Sequence, residues 1–242
     1  MKLKKLFDNW LEQDVKNTLK IKTYFTYYNI ANKHIVPILG EYNLNNLNKN
    51  IIQNFITQKL KEGSLKNKGG LSTNTIRSIY SVLKLAIKYA IEFDLIDKNI
   101  ASNIKLPQKK EKEINAFTVK EREKIINYCI NHKKENYFGI VLCLYTGIRI
   151  GELLALTWED IDFNRHLLHI NKTVSKVKID DKNKLHIDSP KTKASNRVIP
   201  IPKPLIPILK RIKENQNRSI LLLQKPMEWL IIDHIKEHIQ EY

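Results

Sequence analysis

The chain has 242 residues, 42% of them hydrophobic and only seven of them glycine, which excludes collagen-like and disordered classes and leaves room for two separate cores. Formal net charge is +17, with 17 basic against 8 acidic side chains in residues 1–107 and 25 against 17 in the remainder. An excess of one sign in both parts points to a polyanionic partner, because each phosphate neutralised releases a condensed counterion; the bland alternative is that a high isoelectric point reflects composition alone. Only Cys129 and Cys143 are present, both inside helical-looking sequence, so a disulfide framework is not expected and a reducing compartment fits. The opening MKLKKLFDNW is followed by no apolar run, and no stretch reaches ~18 apolar residues. A cytoplasmic protein with no membrane partner is the expectation.

From Leu3 to about Pro107 the apolar spacing predicts helices. Lys20–Leu39 places Tyr24, Tyr27, Tyr28 and Ile35 on one side, and Asn50–Lys61 does the same with Ile52, Phe55, Ile56 and Leu60. After Gly69-Gly70, Ser72 or Thr73 can cap a helix whose inward stripe is Ile76, Ile79, Tyr80, Leu83, Ile87 and Ala90. Arg77, Lys84 and Lys88 lie off that stripe, where they either reach phosphates or stay solvated. Four helices around one small core are expected. Residues 108–116 alternate in charge without an apolar face and read as a linker, so the boundaries are 1–107 and 117–242.

Thr118 and Glu121 have capping-box spacing and open a new helix. After Asp162 the period shortens: His166–Ile170, Thr173–Ile179, Leu185–Ile187 and Arg197–Ile201 are short and rich in Val and Ile, the signature of a small antiparallel sheet. Helical sequence returns from Leu205 to Glu214 and again from Met227.

The segment Tyr145-Thr-Gly-Ile-Arg149-Ile-Gly-Glu152-Leu, followed by Trp158-Glu-Asp160-Ile-Asp162, is the most informative. Gly147 permits a turn with positive φ that delivers Arg149 to a helix start, where backbone N–H groups also favour an anion. A guanidinium there can hold two phosphate oxygens at once, a geometry Lys cannot reproduce. The competing reading is an Arg149–Glu152 ion pair at helical i,i+3 spacing with no ligand. A second segment, Ser189-Pro-Lys191-Thr-Lys193-Ala-Ser-Asn-Arg197-Val-Ile-Pro200, reads as a polar turn leading into a strand.

Together these two segments resemble the tyrosine recombinase (phage-type integrase) family, and the resemblance extends over the whole chain, less specifically in residues 1–107. It implies a mainly α fold with a small antiparallel β-sheet: a helical, SAM-like core-binding domain, a linker, and a mixed α+β catalytic domain that here is incomplete. It implies that Arg149 and Lys191 are catalytic, with Lys193 the fallback for the hairpin lysine, and that Glu152 supports the site. Arg77, Lys84, Lys88, Lys193 and Arg197 are the candidates for DNA contact. The family exchanges strands of double-stranded DNA through a 3′-phosphotyrosine, with no metal, cofactor or small-molecule substrate, because the covalent intermediate conserves the bond energy. Its members assemble as tetramers on paired sites, so a homo-oligomer on DNA is also implied.

One part of the family pattern is missing. No His-x-x-Arg occurs in the chain: His234-Ile-Lys-Glu237 has Glu where Arg belongs, and His238-Ile-Gln-Glu241 fails likewise. His234 and His238 at i,i+4 spacing have no third ligand in view and read as solvated helix histidines. The family's nucleophile follows that box by tens of residues, so Tyr242 is not expected to fill the role. The expectation is a C-terminally truncated recombinase of a mobile element that keeps DNA binding and lacks the chemistry. The alternative is a non-catalytic DNA-binding protein that occupies recombination sites.

Overall fold

The structure is a computed structural model and describes residues 1–64, 69–109, 116–132, 135–179, 182–188 and 195–215. The chain divides into two compact units, residues 1–113 with 177–182, and residues 114–176 with 183–242. Among the described residues no helix is long and apolar enough to cross a membrane.

Among its described residues the first unit contains four helical rods. Helix α1 spans residues 3–18 and α2 spans residues 21–39; each passes through a wide π turn, Leu11–Val15 in α1 and Ala31–Ile35 in α2. Pro37 has no N–H to return to the preceding turn, and α2 widens immediately before it. Helix α3 (Lys49–Glu62) starts where the Asn48 side chain accepts hydrogen bonds from the backbone N–H groups of Asn50 and Ile51, at 3.0 and 3.1 Å. Helix α4 (Thr73–Glu92) starts at Ser72, whose hydroxyl accepts from the Thr75 N–H at 3.3 Å. These caps satisfy donors that have no partner within their own helix. Leu3, Leu6, Phe7 and Trp10 of α1, Ile35 and Leu39 of α2, Ile52, Phe55 and Ile56 of α3, and Ile76, Ile79, Leu83 and Ile87 of α4 share one buried core. Each such side chain contributes about 1.5–3 kcal/mol when fully buried.

Beyond α4 the chain is tied back onto the helices that precede it. The Tyr80 hydroxyl donates to Ala101 O at 2.6 Å, and the Gln53 amide both donates to Lys105 O, at 3.1 Å, and accepts from Lys105 N–H, at 2.8 Å.

The second unit opens with α5 (Val119–His132), and its capping box is present as expected: Glu121 N–H donates to the Thr118 hydroxyl oxygen at 3.3 Å, and Thr118 N–H donates to the Glu121 carboxylate at 2.7 Å. Helix α6 (Glu135–Thr146) follows, then the single turn α7 (Ile150–Leu153). Strands β1 (Ile161–Asp162), β2 (Leu167–Ile170) and β5 (Arg197–Pro200) form an antiparallel sheet in the order β1-β2-β5. In that sheet Leu168 lies opposite Ile161 and Ile199, and Ile170 lies opposite Arg197. Strands β3 (Thr173–Ile179) and β4 (Lys182–Asp188) pair with each other as a separate two-stranded sheet. Sequence reading placed the segments of β2, β3, β4 and β5 in one small sheet and did not read β1 as a strand; in the structure β1 and β5 flank β2, and β3 and β4, neighbours in the chain, pair with each other. Helix α8 (Ile206–Asn215) closes the described part. The core of this unit joins Ile125 and Cys129 of α5, Val141 and Leu142 of α6, Leu168 and Ile170 of β2, and Leu205 and Leu209.

Candidate phosphate-binding site

Helix α6 ends at Gly147, whose N–H donates to Cys143 O at 2.8 Å and whose φ of +67° is a conformation that side chains other than glycine adopt only at a cost. Ile148 is then buried, and Arg149 is extended (φ −75°, ψ 152°) as the residue before α7. Gly151 lets α7 press against β3: a Cβ there would meet Thr173 Oγ1 at 2.6 Å and Val174 O at 2.7 Å. This close approach tucks Glu152 inward, so that its side chain is only 6% exposed.

Glu152 is the hub of the site. Its Oε1 accepts from Arg149 Nη1 and from Arg197 Nη1, each at 3.0 Å, and its Oε2 accepts from Arg149 N–H and from Arg197 Nη2, each at 2.8 Å. Four charge-assisted donors on one carboxylate satisfy a buried anion, which would otherwise be costly. The Arg197 hydrogen bonds, followed by those from Arg149, outweigh burial and hold the Glu152 carboxyl down at about 2. The two arginines differ in what they leave over. Arg197 commits both terminal nitrogens to Glu152 and is 29% exposed, whereas Arg149 commits only Nη1 and its side chain is 72% exposed. Among the described residues, Nε and Nη2 of Arg149 meet no partner. The i,i+3 ion pair that competed with a ligand-binding reading of Arg149 is therefore present, yet it occupies only one corner of the guanidinium. At the start of the helix the Arg149 N–H is already held by Glu152, so that donor is not left for an anion.

The rest of the Trp158–Asp162 segment is structural. Trp158 is buried in the core. Asp160 is 4% exposed; its Oδ2 accepts from Thr157 N–H at 2.7 Å and from the Thr157 hydroxyl at 2.8 Å, and the Lys172 ammonium lies 2.9 Å away. Asp162 Oδ1 accepts from the N–H groups of Asn164 and Arg165, both at 2.9 Å, and so shapes the turn into β2. Sequence reading missed the first of these arrangements, although Thr157 and Asp160 have the same capping spacing that was recognised at Thr118.

Other candidates are placed as follows. Arg77 does not point to open solvent: its Nη2 donates to Pro107 O at 3.0 Å and its Nε is buried, which ties α4 to the end of the first unit. Lys84 is exposed, and Lys88 is exposed with Glu92 3.1 Å away. Arg197, a candidate for DNA contact, is drawn onto Glu152 by the pairing of β5 with β2. Lys191, Lys193, His234, His238, Tyr242, the helix from Met227 and most of the linker lie outside the described residues. Cys129 and Cys143 are free thiols pushed up to about 11 by burial, which leaves neither available as a thiolate nucleophile near neutral pH.

Comparison with known proteins gives the family. Residues 115–242 match the phage integrase family, and residues 2–60 match the phage integrase N-terminal SAM-like domain. A tyrosine recombinase XerC-like protein of Caldanaerobacter subterraneus subsp. tengcongensis is 32% identical over 88% of this chain and 55% of its own length. The integrase of Staphylococcus phage L54a is 27% identical over 86% of this chain and 61% of its own. The chain thus spans less than two thirds of the length of these relatives. The fold is that of the Tn1549 transposon integrase solved with a circular intermediate DNA, with a TM-score of 0.81 and 20% identity over 100% of this chain and 80% of that one. With the Thr146-Gly-Ile-Arg149 turn, the inward Glu152 and both matched regions in place, the chain belongs to the phage integrase family of tyrosine recombinases.

Proposed function

We propose that the chain is the DNA-binding part of a site-specific recombinase of a mobile element, with a core-binding domain over residues 1–107, a linker over 108–116 and catalytic-domain residues from 117 onward. In this reading Arg149 holds the phosphate at the point of strand exchange, Lys191 of the hairpin turn reaches the same phosphate, and Lys84, Lys88 and Lys193 neutralise neighbouring phosphates. Several copies assemble on one DNA site. The observation that supports it most is the exposed guanidinium of Arg149, held at one corner by a buried carboxylate and open at its other edge. The net charge of +17 supports the same partner. A tyrosine attack on DNA needs several cations or donors around the phosphate at once. Residues 1–242 contain no His-x-x-Arg to complete that set, so DNA binding without strand cleavage is the activity proposed for them by themselves.

The test is the salt dependence of binding to a short DNA duplex, followed by fluorescence anisotropy. Wild-type affinity should fall steeply as salt rises. Arg149→Ala should bind about tenfold more weakly and lose about one unit of the slope of log Kd against log salt. An Arg149→Ala variant with unchanged affinity and slope would remove Arg149 from the interface.

A further inference from the structure

We infer that Arg197 is a positioning residue that cancels the charge of Glu152, so that Arg149 meets a phosphate with its own positive charge undiminished. This rests on the reading of Arg149 as the phosphate ligand.

The geometry points to a division of labour between two arginines that share one carboxylate. Arg149 and Glu152 alone would be a neutral pair, and an approaching phosphate would meet a carboxylate directly behind the guanidinium. Like charges at such a separation repel appreciably where the site is partly desolvated. Arg197 changes this balance. It presents both terminal nitrogens to the two oxygens of Glu152, at 3.0 and 2.8 Å, the bidentate fork that matches a carboxylate best. Arg149 shares Glu152 through Nη1 alone, and Arg197 is the less exposed of the two, at 29% against 72%. The three side chains together carry one net positive charge, and the exposed part of that charge belongs to Arg149.

The position of Arg197 is set by the sheet rather than by the local chain. It is the first residue of β5, opposite Ile170 on β2, and stands 45 residues after Glu152. The strand that follows the segment bearing Lys191 and Lys193 therefore begins with the counter-charge of Glu152. A merely packing role for Arg197 would not depend on the sign of its charge.

The test titrates inorganic phosphate into the full chain and follows the side-chain Nε–H resonance of Arg149 by NMR. Arg197→Gln keeps a hydrogen-bond donor toward Glu152 but removes the charge, and should raise the apparent Kd about tenfold. Arg197→Lys keeps the charge but loses the bidentate fork, and should recover most of the affinity that Arg197→Gln loses. The decisive variant is Arg197→Gln combined with Glu152→Gln, which removes both charges, leaves the net charge of the three positions as in the wild type, and should return the Kd to within about twofold of it. The inference is overturned if Arg197→Gln binds like wild type, if the double variant stays as weak as Arg197→Gln, or if folded Arg197→Lys is as weak as Arg197→Gln. Should Arg197→Gln fail to fold, Arg197→Met, which also removes the charge, takes its place in the same comparisons. A wild-type Arg149 resonance that shows no saturable shift at all would sink the phosphate reading itself, whereas saturation in wild type with unchanged variants would sink only the role of Arg197.

Discussion

Glu152→Ala should cost the second unit about 3 kcal/mol of stability, most of it from Arg197, which is left largely buried without its partner. Arg149 adds little to that loss, because its exposed guanidinium exchanges one protein hydrogen bond for water. A urea titration should show a lower midpoint with an unchanged slope, the pattern of lost stability without a change in the surface exposed on unfolding. Acid should do to the wild type much of what the substitution does. The folded protein holds Glu152 at about 2, below its ordinary value of 4.5, so the unfolded chain takes up the proton first as pH falls. The contribution is complete above about pH 4.5 and lost as pH falls toward about 2; the shift corresponds to about 3 kcal/mol. Glu152→Ala should lack this component of the acid limb, and an acid profile identical to that of wild type would contradict the account of the hub.

Gly151→Ala should destabilise the same unit by about 1–3 kcal/mol, as overfilling a close-packed contact does. The added methyl would stand 2.6 Å from Thr173 Oγ1 and 2.7 Å from Val174 O. The threonine side chain can turn away, but the carbonyl belongs to β3 and cannot move without the strand. Relief therefore requires α7 to withdraw from β3, and Glu152 is the next residue along. The functional loss should exceed what destabilisation alone explains: DNA affinity should fall even under conditions where the variant remains fully folded. A folded Gly151→Ala variant with wild-type affinity would show that the spacing between α7 and β3 does not position Arg149.

Much of this fold was legible because it is written in local spacing. The stripe from Ile76 to Ala90, the Ser72 cap and the Thr118–Glu121 box each depend on residues within one or two turns of each other, and each stands in the structure. The strands were legible for the same reason, since Thr173–Ile179 and the start of β5 at Arg197 follow from their Val and Ile content. What could not be read depends on which distant segments meet. Arg77 lies off the buried stripe of α4 and was read as a cation that either reaches phosphates or stays solvated, but Pro107 returns to accept its hydrogen bond. Arg197 looked like one more basic residue beside a lysine-rich turn, and only the pairing of Ile170 with Arg197 brings it to Glu152. Lys172 belongs to Asp160 for a similar reason, 12 positions further along the chain than the acid and past β2. The division of the strands into two sheets, with β1 and β5 flanking β2 and β3 pairing with β4, is a fact of assembly that alternation along one strand does not encode.

The most direct measurement of the central claim is to incubate the chain with a nicked duplex carrying its recombination site and to run the same sample on native and denaturing gels. The account predicts a salt-sensitive shift on the native gel and no band of protein joined to DNA on the denaturing one. A covalent adduct on any tyrosine would contradict it, because residues 1–242 would then complete the cleavage chemistry without a His-x-x-Arg segment.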